Sequence, residues 1–182
     1  MSTYDVLLAL HIACVLGAFF LSGGLHISEY LMKGAGTVAE VRRLTRPGRF
    51  APLFAPLVIG IFGFGMAMLH QSEGSAWKMS DGWISTAMVV LLVLFLDGPL
   101  VLARYGKKLE AVVEAAGDGP VTDDLRTAVR LPVPWVVSHA NTFAALSVVL
   151  IMTSKPSGAT SALIAVIGTA VGAGLGLALS KR

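Results

Sequence analysis

Five apolar stretches, at about residues 4–30, 50–70, 83–104, 132–152 and 159–179, are each long enough to cross a hydrocarbon core about 30 Å thick as a helix. Lipid offers no partner to a backbone N–H or C=O, so each such stretch must satisfy its own backbone, and the helix is the form that does this within one segment. The expected fold is therefore all-α: an integral membrane bundle of five transmembrane helices, in a single domain over residues 1–182. Connectors at 33–49 and 105–131 leave no room for a separate soluble domain. Charged residues make up 14% of the chain, against roughly 25% in soluble domains.

Charge fixes the expected orientation. Of the 14 lysines and arginines, only Lys78 and Lys155 fall at one set of span ends, and the rest gather at the other. The positive-inside rule then puts the amino terminus outside and the carboxyl terminus in the cytoplasm, as expected for a multi-pass protein of a bacterial inner membrane. A net charge of +3 distributed in this way reflects topology better than it reflects nucleic-acid binding. The first stretch opens with Asp5, lacks a basic n-region and is followed by no A-x-A-like site, so a cleaved leader is not expected. Cys14 is the sole cysteine, which excludes an intramolecular disulfide.

Within the third stretch, MVVLLVLFLDGPLVLAR, Asp97 is an acid in an apolar run. A carboxylate at mid-helix costs about 2.5–3.5 kcal/mol on insertion scales, so it should face protein or a water-filled cavity. At about 1.5 Å per residue Asp97 and His139 fall at similar depth, and the pair is a candidate proton relay or buried polar pair. Gly98-Pro99 beside Asp97 predicts a break in the helix. His26, Glu29 and Arg104 are expected nearer the cytoplasmic surface.

The four histidines are His11, His26, His70 and His139. His11 and His70 both fall toward the outer surface, and a b-type haem needs two such ligands on facing helices, with small residues making room for the macrocycle. Copper is the other cofactor considered, with Cys14, Met66 and Met68 as soft donors, although no HxxH or CxxC spacing specifies it. Hydrogen-bonded histidines without any ligand stay open beside these readings. So does an accessory subunit of a larger membrane complex, and so does a small-solute or proton transporter built on Asp97 and His139. No nucleophile elbow, phosphate-binding glycine loop or zincin signature occurs, and whether the chain is an enzyme is left undecided.

Two further patterns bear on packing. Thr37 and Glu40 have capping-box spacing and predict a short surface helix in the first connector, beside a basic cluster suited to anionic headgroups. Gly168, Gly172 and Gly176 recur every fourth residue in the last stretch, a ladder that permits close helix contact within the chain or between copies of it.

The opening YDVLLALHIACVLGAFFLSGGLH, with Leu10-His11 early and small residues later, together with MTSKPS at 152–157, resembles a family of uncharacterised bacterial integral membrane proteins, a domain of unknown function. That family is similar in layout to the copper-resistance D and J-type protoporphyrinogen oxidase membrane proteins. The resemblance covers about residues 4–156 and implies an inner-membrane bundle in which His11 is the position to test for haem or copper. Two departures accompany it. The oxidase pattern has a lysine in span three where this chain has Asp97, and the fifth span lies outside a four-helix core.

Overall fold

The computed structural model describes residues 1–71 and 77–181, and its regular elements are all helical. Helix α1 spans Thr3–Lys33, α2 Val38–Thr45, α3 Phe54–Gln71, α4 Gly82–Asp97, α5 Ala103–Ala115, α6 Asp123–Val129, α7 Pro132–Ser154 and α8 Gly158–Lys181. Five helical runs are long and apolar enough to cross a membrane: Thr3–Lys33, Val38–Gln71, Gly82–Ala115, Asp123–Ser154 and Gly158–Lys181. Residues 72–76 and Arg182 lie outside the described residues.

Proline chemistry accounts for the two irregular segments. The second stretch does not become regular α-helix at residue 50; Arg46–Leu53 is a 3-10 turn containing Pro47 and Pro52, and α3 begins at Phe54. Neither proline has an N–H to give to an i to i−4 bond, so the regular α-helix is delayed and a short turn of i to i−3 type leads into it. In the third stretch the break beside Asp97 is a π turn, Gly98–Leu102. The missing N–H of Pro99 and the clash of its ring with the preceding turn are absorbed by this local widening, and the chain continues into α5.

Small residues decide how the long helices meet. α1 lies along α3, where Gly17 admits Leu57 and Gly60 admits the Cys14 sulfur; a Cβ at Gly60 would stand 2.6 Å from that sulfur. α7 and α8 form the closest pair, with α4 laid across both. Along that pair Gly168 meets Ser147 and the Phe143 carbonyl, Gly172 meets the His139 carbonyl and Ala140, and Gly176 meets the Trp135 carbonyl. The glycine ladder is thus filled by α7 of the same chain. Gly82 and Gly158 touch backbone to backbone where α4 and α8 begin. Beside them Trp83 and Ile84 of α4, Ile151 of α7 and Ala165 of α8 form a buried cluster. The Lys155 ammonium stands 4.2 Å from the Trp77 ring, and Trp77 meets Trp83 edge-on with ring centroids 5.4 Å apart. Trp83 therefore packs inward, buried between α4, α7 and α8.

At the opposite, basic end the two connectors join into one cap. Thr37 caps α2 by accepting from the Glu40 N–H, and the Glu40 carboxylate returns to the Thr37 N–H, as the capping-box spacing predicts. Val38 and Val41 of α2, Val113 of α5, and Leu125 and Val129 of α6 share a small core. Val38 N–H donates to the Gly119 carbonyl at 2.9 Å, Val121 N–H to the Gly36 carbonyl at 3.1 Å, and Arg42 pairs with Asp118 at 2.9 Å. Gly117 and Gly119 make the turn that allows this pairing, with φ of 66° and 137°. The segments that read as two separate surface connectors are one packed unit that holds the basic ends of α1, α5 and α7.

Candidate metal centre

Between α1 and α7, toward the basic end, two stripes of polar residues face each other. Ser22, His26 and Glu29 lie at i, i+4 and i+7 on α1, and Trp135, Ser138, His139 and Thr142 follow the same spacing on α7. Much of both helices is otherwise apolar, and the two stripes bond to one another across the contact. Ser22 Oγ lies 2.8 Å from Thr142 Oγ1, His26 Nε2 lies 2.7 Å from the same oxygen, and Ser138 Oγ donates to Glu29 at 3.2 Å. The His26 and His139 rings meet with centroids 4.3 Å apart, and Trp135 stacks on the other side of His139 at 5.7 Å. His139 is buried, while His26 and Glu29 are half-buried.

The partners in this network fix the tautomer of His139 and leave two for His26. Nδ1–H of His139 donates to the Trp135 carbonyl at 2.9 Å, which leaves its Nε2 with a bare lone pair. The Thr142 hydroxyl lies 3.1 Å from the Ser138 carbonyl and 2.7 Å from His26 Nε2; when it donates to the carbonyl it accepts from Nε2–H, and when it donates to Nε2 the His26 proton sits on Nδ1. His26 Nδ1 faces the Glu29 carboxylate at 3.2 Å. With the proton on Nδ1 this is an N–H donated to the carboxylate; with it on Nε2 the Nδ1 lone pair and the carboxylate face one another as two donors for a cation.

Donor atoms of His26, Glu29 and His139 all lie within 4.8 Å of one another. Two imidazoles and a carboxylate suit a divalent transition ion such as zinc or iron(II), with bonds of about 2.0–2.2 Å that would draw the three donors inward. The outer hydrogen bonds also fit. Each imidazole uses its other nitrogen to hold a fixed protein oxygen, the arrangement that orients a histidine ligand.

The residues singled out from sequence are distributed differently. His139 lies in this cluster, but beside His26 and Glu29 instead of Asp97. Asp97 is half-buried at the start of the π turn, and among the described residues its carboxylate makes no hydrogen bond or ion pair. His11 donates through Nδ1 to the Ile61 carbonyl of α3 at 2.9 Å, its ring lying against Gly65. His70 is exposed, nine residues past Ile61 and so about 13 Å further along α3, and no hydrogen bond or ring contact joins it to His11 among the described residues. The sequence reading placed His26 and Glu29 too near the surface to join His139; the signal that would have found them is the polar stripe Ser22, His26, Glu29 in an otherwise apolar helix. No family model, curated protein or solved structure matches the chain.

Proposed function

We propose that the chain is an integral membrane protein that binds a divalent transition-metal ion through His26, Glu29 and His139. Insertion in a membrane is supported by the apolar side chains that the long helices turn outward, among them Phe20 at 84%, Val166 at 65% and Ile59 at 62% exposure. The distribution of lysine and arginine supports the orientation with the amino terminus outside and the capped, basic end in the cytoplasm of a bacterium. In that orientation the metal site lies in the inner half of the bundle. The observation that carries the metal reading is the convergence of three donor groups from two helices. Three protein ligands leave a coordination position open, as in sites that activate or hand on a bound group and unlike the closed sites that serve structure alone.

Calorimetric titration of the purified, chelator-treated protein with zinc tests this. One ion per chain is expected, and Thr142→Val, which removes the oxygen that orients His26, should weaken binding about 10- to 100-fold. Asp97→Asn and His70→Ala should leave the affinity unchanged. A chain that takes up no ion, or a Thr142→Val variant with the affinity of the wild type, would count against the site. A haem held by His11 predicts instead a coloured preparation whose Soret band disappears in His11→Ala.

The hydrogen-bonded run from Ser22 through Thr142, His26 and Glu29 to Ser138 favours a second reading, proton transfer along the same residues. Proton flux into metal-depleted proteoliposomes that Glu29→Gln stops would favour it over the metal site. Orientation has its own check, thiol labelling of intact cells carrying single cysteines in a Cys14→Ser background. Ser2→Cys should react with an impermeant reagent and Lys107→Cys should not, and the reverse pattern would invert the bundle.

A further inference from the structure

A second recognition site lies at the basic end, where the end of α1, α2, the end of α6 and the end of α8 enclose an open cavity of about 570 Å³. Arg43 of α2 and Arg130 after α6 both line it, and among the described residues neither guanidinium makes a hydrogen bond or ion pair with a protein acceptor. Lys33 adds a third cation at the rim; it donates to the Leu179 carbonyl and stands 4.8 Å from the Trp135 ring. Glu40 is the one acid among the lining residues; its Oε2 accepts from the Gly36 and Thr37 N–H groups at 2.8 and 3.2 Å, and it also feels the charge of Arg43 without forming an ion pair with it. The rest of the wall is largely apolar, including Tyr30, Leu31, Leu44 and Leu179.

We infer that this cavity binds the phosphate of an anionic lipid headgroup. Two arginines from different elements that border one cavity, neither in a hydrogen bond or ion pair with the protein among the described residues, match the paired oxygens of a phosphate, although Arg130 also borders a neighbouring cavity with Asp123. The apolar wall suits the glycerol and first acyl carbons that follow, and a free phosphate would make no use of it. The position agrees with this occupant, since the cavity opens where the long apolar helices give way to the basic cap, the level of the headgroups in the orientation proposed above. The inference does not depend on the metal site, and its test uses no metal.

The full chain is to be titrated with phosphatidylglycerol in phosphatidylcholine nanodiscs, and separately with inorganic phosphate, with thermal stability as the readout and native mass spectrometry counting retained lipid. Phosphatidylglycerol should raise the melting temperature of the wild type. The double variant Arg43→Gln/Arg130→Gln should weaken that response at least ~10-fold in lipid concentration, while Arg46→Gln/Arg49→Gln, which removes equal charge elsewhere on the same face, should keep it. Inorganic phosphate should have no effect. Equal weakening in both double variants would reduce the effect to general surface charge and overturn the site; an equal response to inorganic phosphate would overturn the lipid as occupant. If the first variant proves less stable without added lipid, the mass spectrum decides. Retention of phosphatidylglycerol by the wild type and the control but not by the variant supports the inference, and equal retention by all three contradicts it.

Discussion

His139→Asn is expected to lower zinc affinity by more than ~100-fold while leaving the bundle folded. The asparagine amide can still donate to the Trp135 carbonyl, the bond that His139 makes through Nδ1, but it has no atom at the position of Nε2. Losing an outer hydrogen bond to a ligand typically costs about 10- to 100-fold, and the loss of a ligand itself should exceed that. His139→Ala should lose the ion equally and also lower stability, because the imidazole is buried between the His26 ring and Trp135. The comparison separates coordination from packing. Titration calorimetry for the ion and thermal unfolding for the fold measure the two effects, and a His139→Asn chain that still binds zinc tightly would leave the site without a needed donor.

The second large effect is expected at Gly172. A Cβ there meets the His139 carbonyl and stands 2.8 Å from Phe143 Cβ and 2.9 Å from Ala140 Cα, so a side chain can be admitted only if α7 and α8 separate. Overpacking of this kind costs about 1–3 kcal/mol and sometimes more, and Gly172→Val, where backbone must move, should fall at or above the upper figure. Gly174 supplies the contrast two residues on, since nothing lies within 4 Å of its Cβ position. Gly174→Val should change stability by less than about 1 kcal/mol, the scale of helix propensity. Unfolding of the two variants in detergent measures the difference. Because Gly172 presses on the backbone of His139, Gly172→Val should also weaken zinc binding, and equal stability of the two variants would contradict the α7 and α8 contact.

The elements that sequence made legible are those decided locally. Apolar length set the five long helices, Thr37 and Glu40 set the start of α2, and Gly98-Pro99 marked the place of the π turn. Each depends on residues within a turn or two of one another. The glycine ladder announced a close contact but not its partner, because a GxxxG stripe accepts any helix that fits; α7 fits it because the Trp135, His139 and Phe143 carbonyls come to the surface there. The polar cluster was half legible. Depth counting along straight spans matches Asp97 with His139, and α4 does pack on α7, but depth alone does not say which way a side chain is turned. α7 turns His139 toward α1, where His26 and Glu29 stand, and the pairing follows from helix rotation and from a cap that joins residues as distant in sequence as Thr37 and Pro120. The same cap buries Val38 and Val41 and leaves Arg43 and Arg130 around one cavity, a juxtaposition that no spacing in the chain announces.

X-ray absorption at the zinc edge of the metal-loaded protein reads the donor atoms around the ion itself. Two imidazole nitrogens and a carboxylate oxygen are expected at about 2.0–2.2 Å from the ion, with one imidazole lost in His139→Asn. A shell of water oxygens alone, or a spectrum that His139→Asn leaves unchanged, would contradict the metal site.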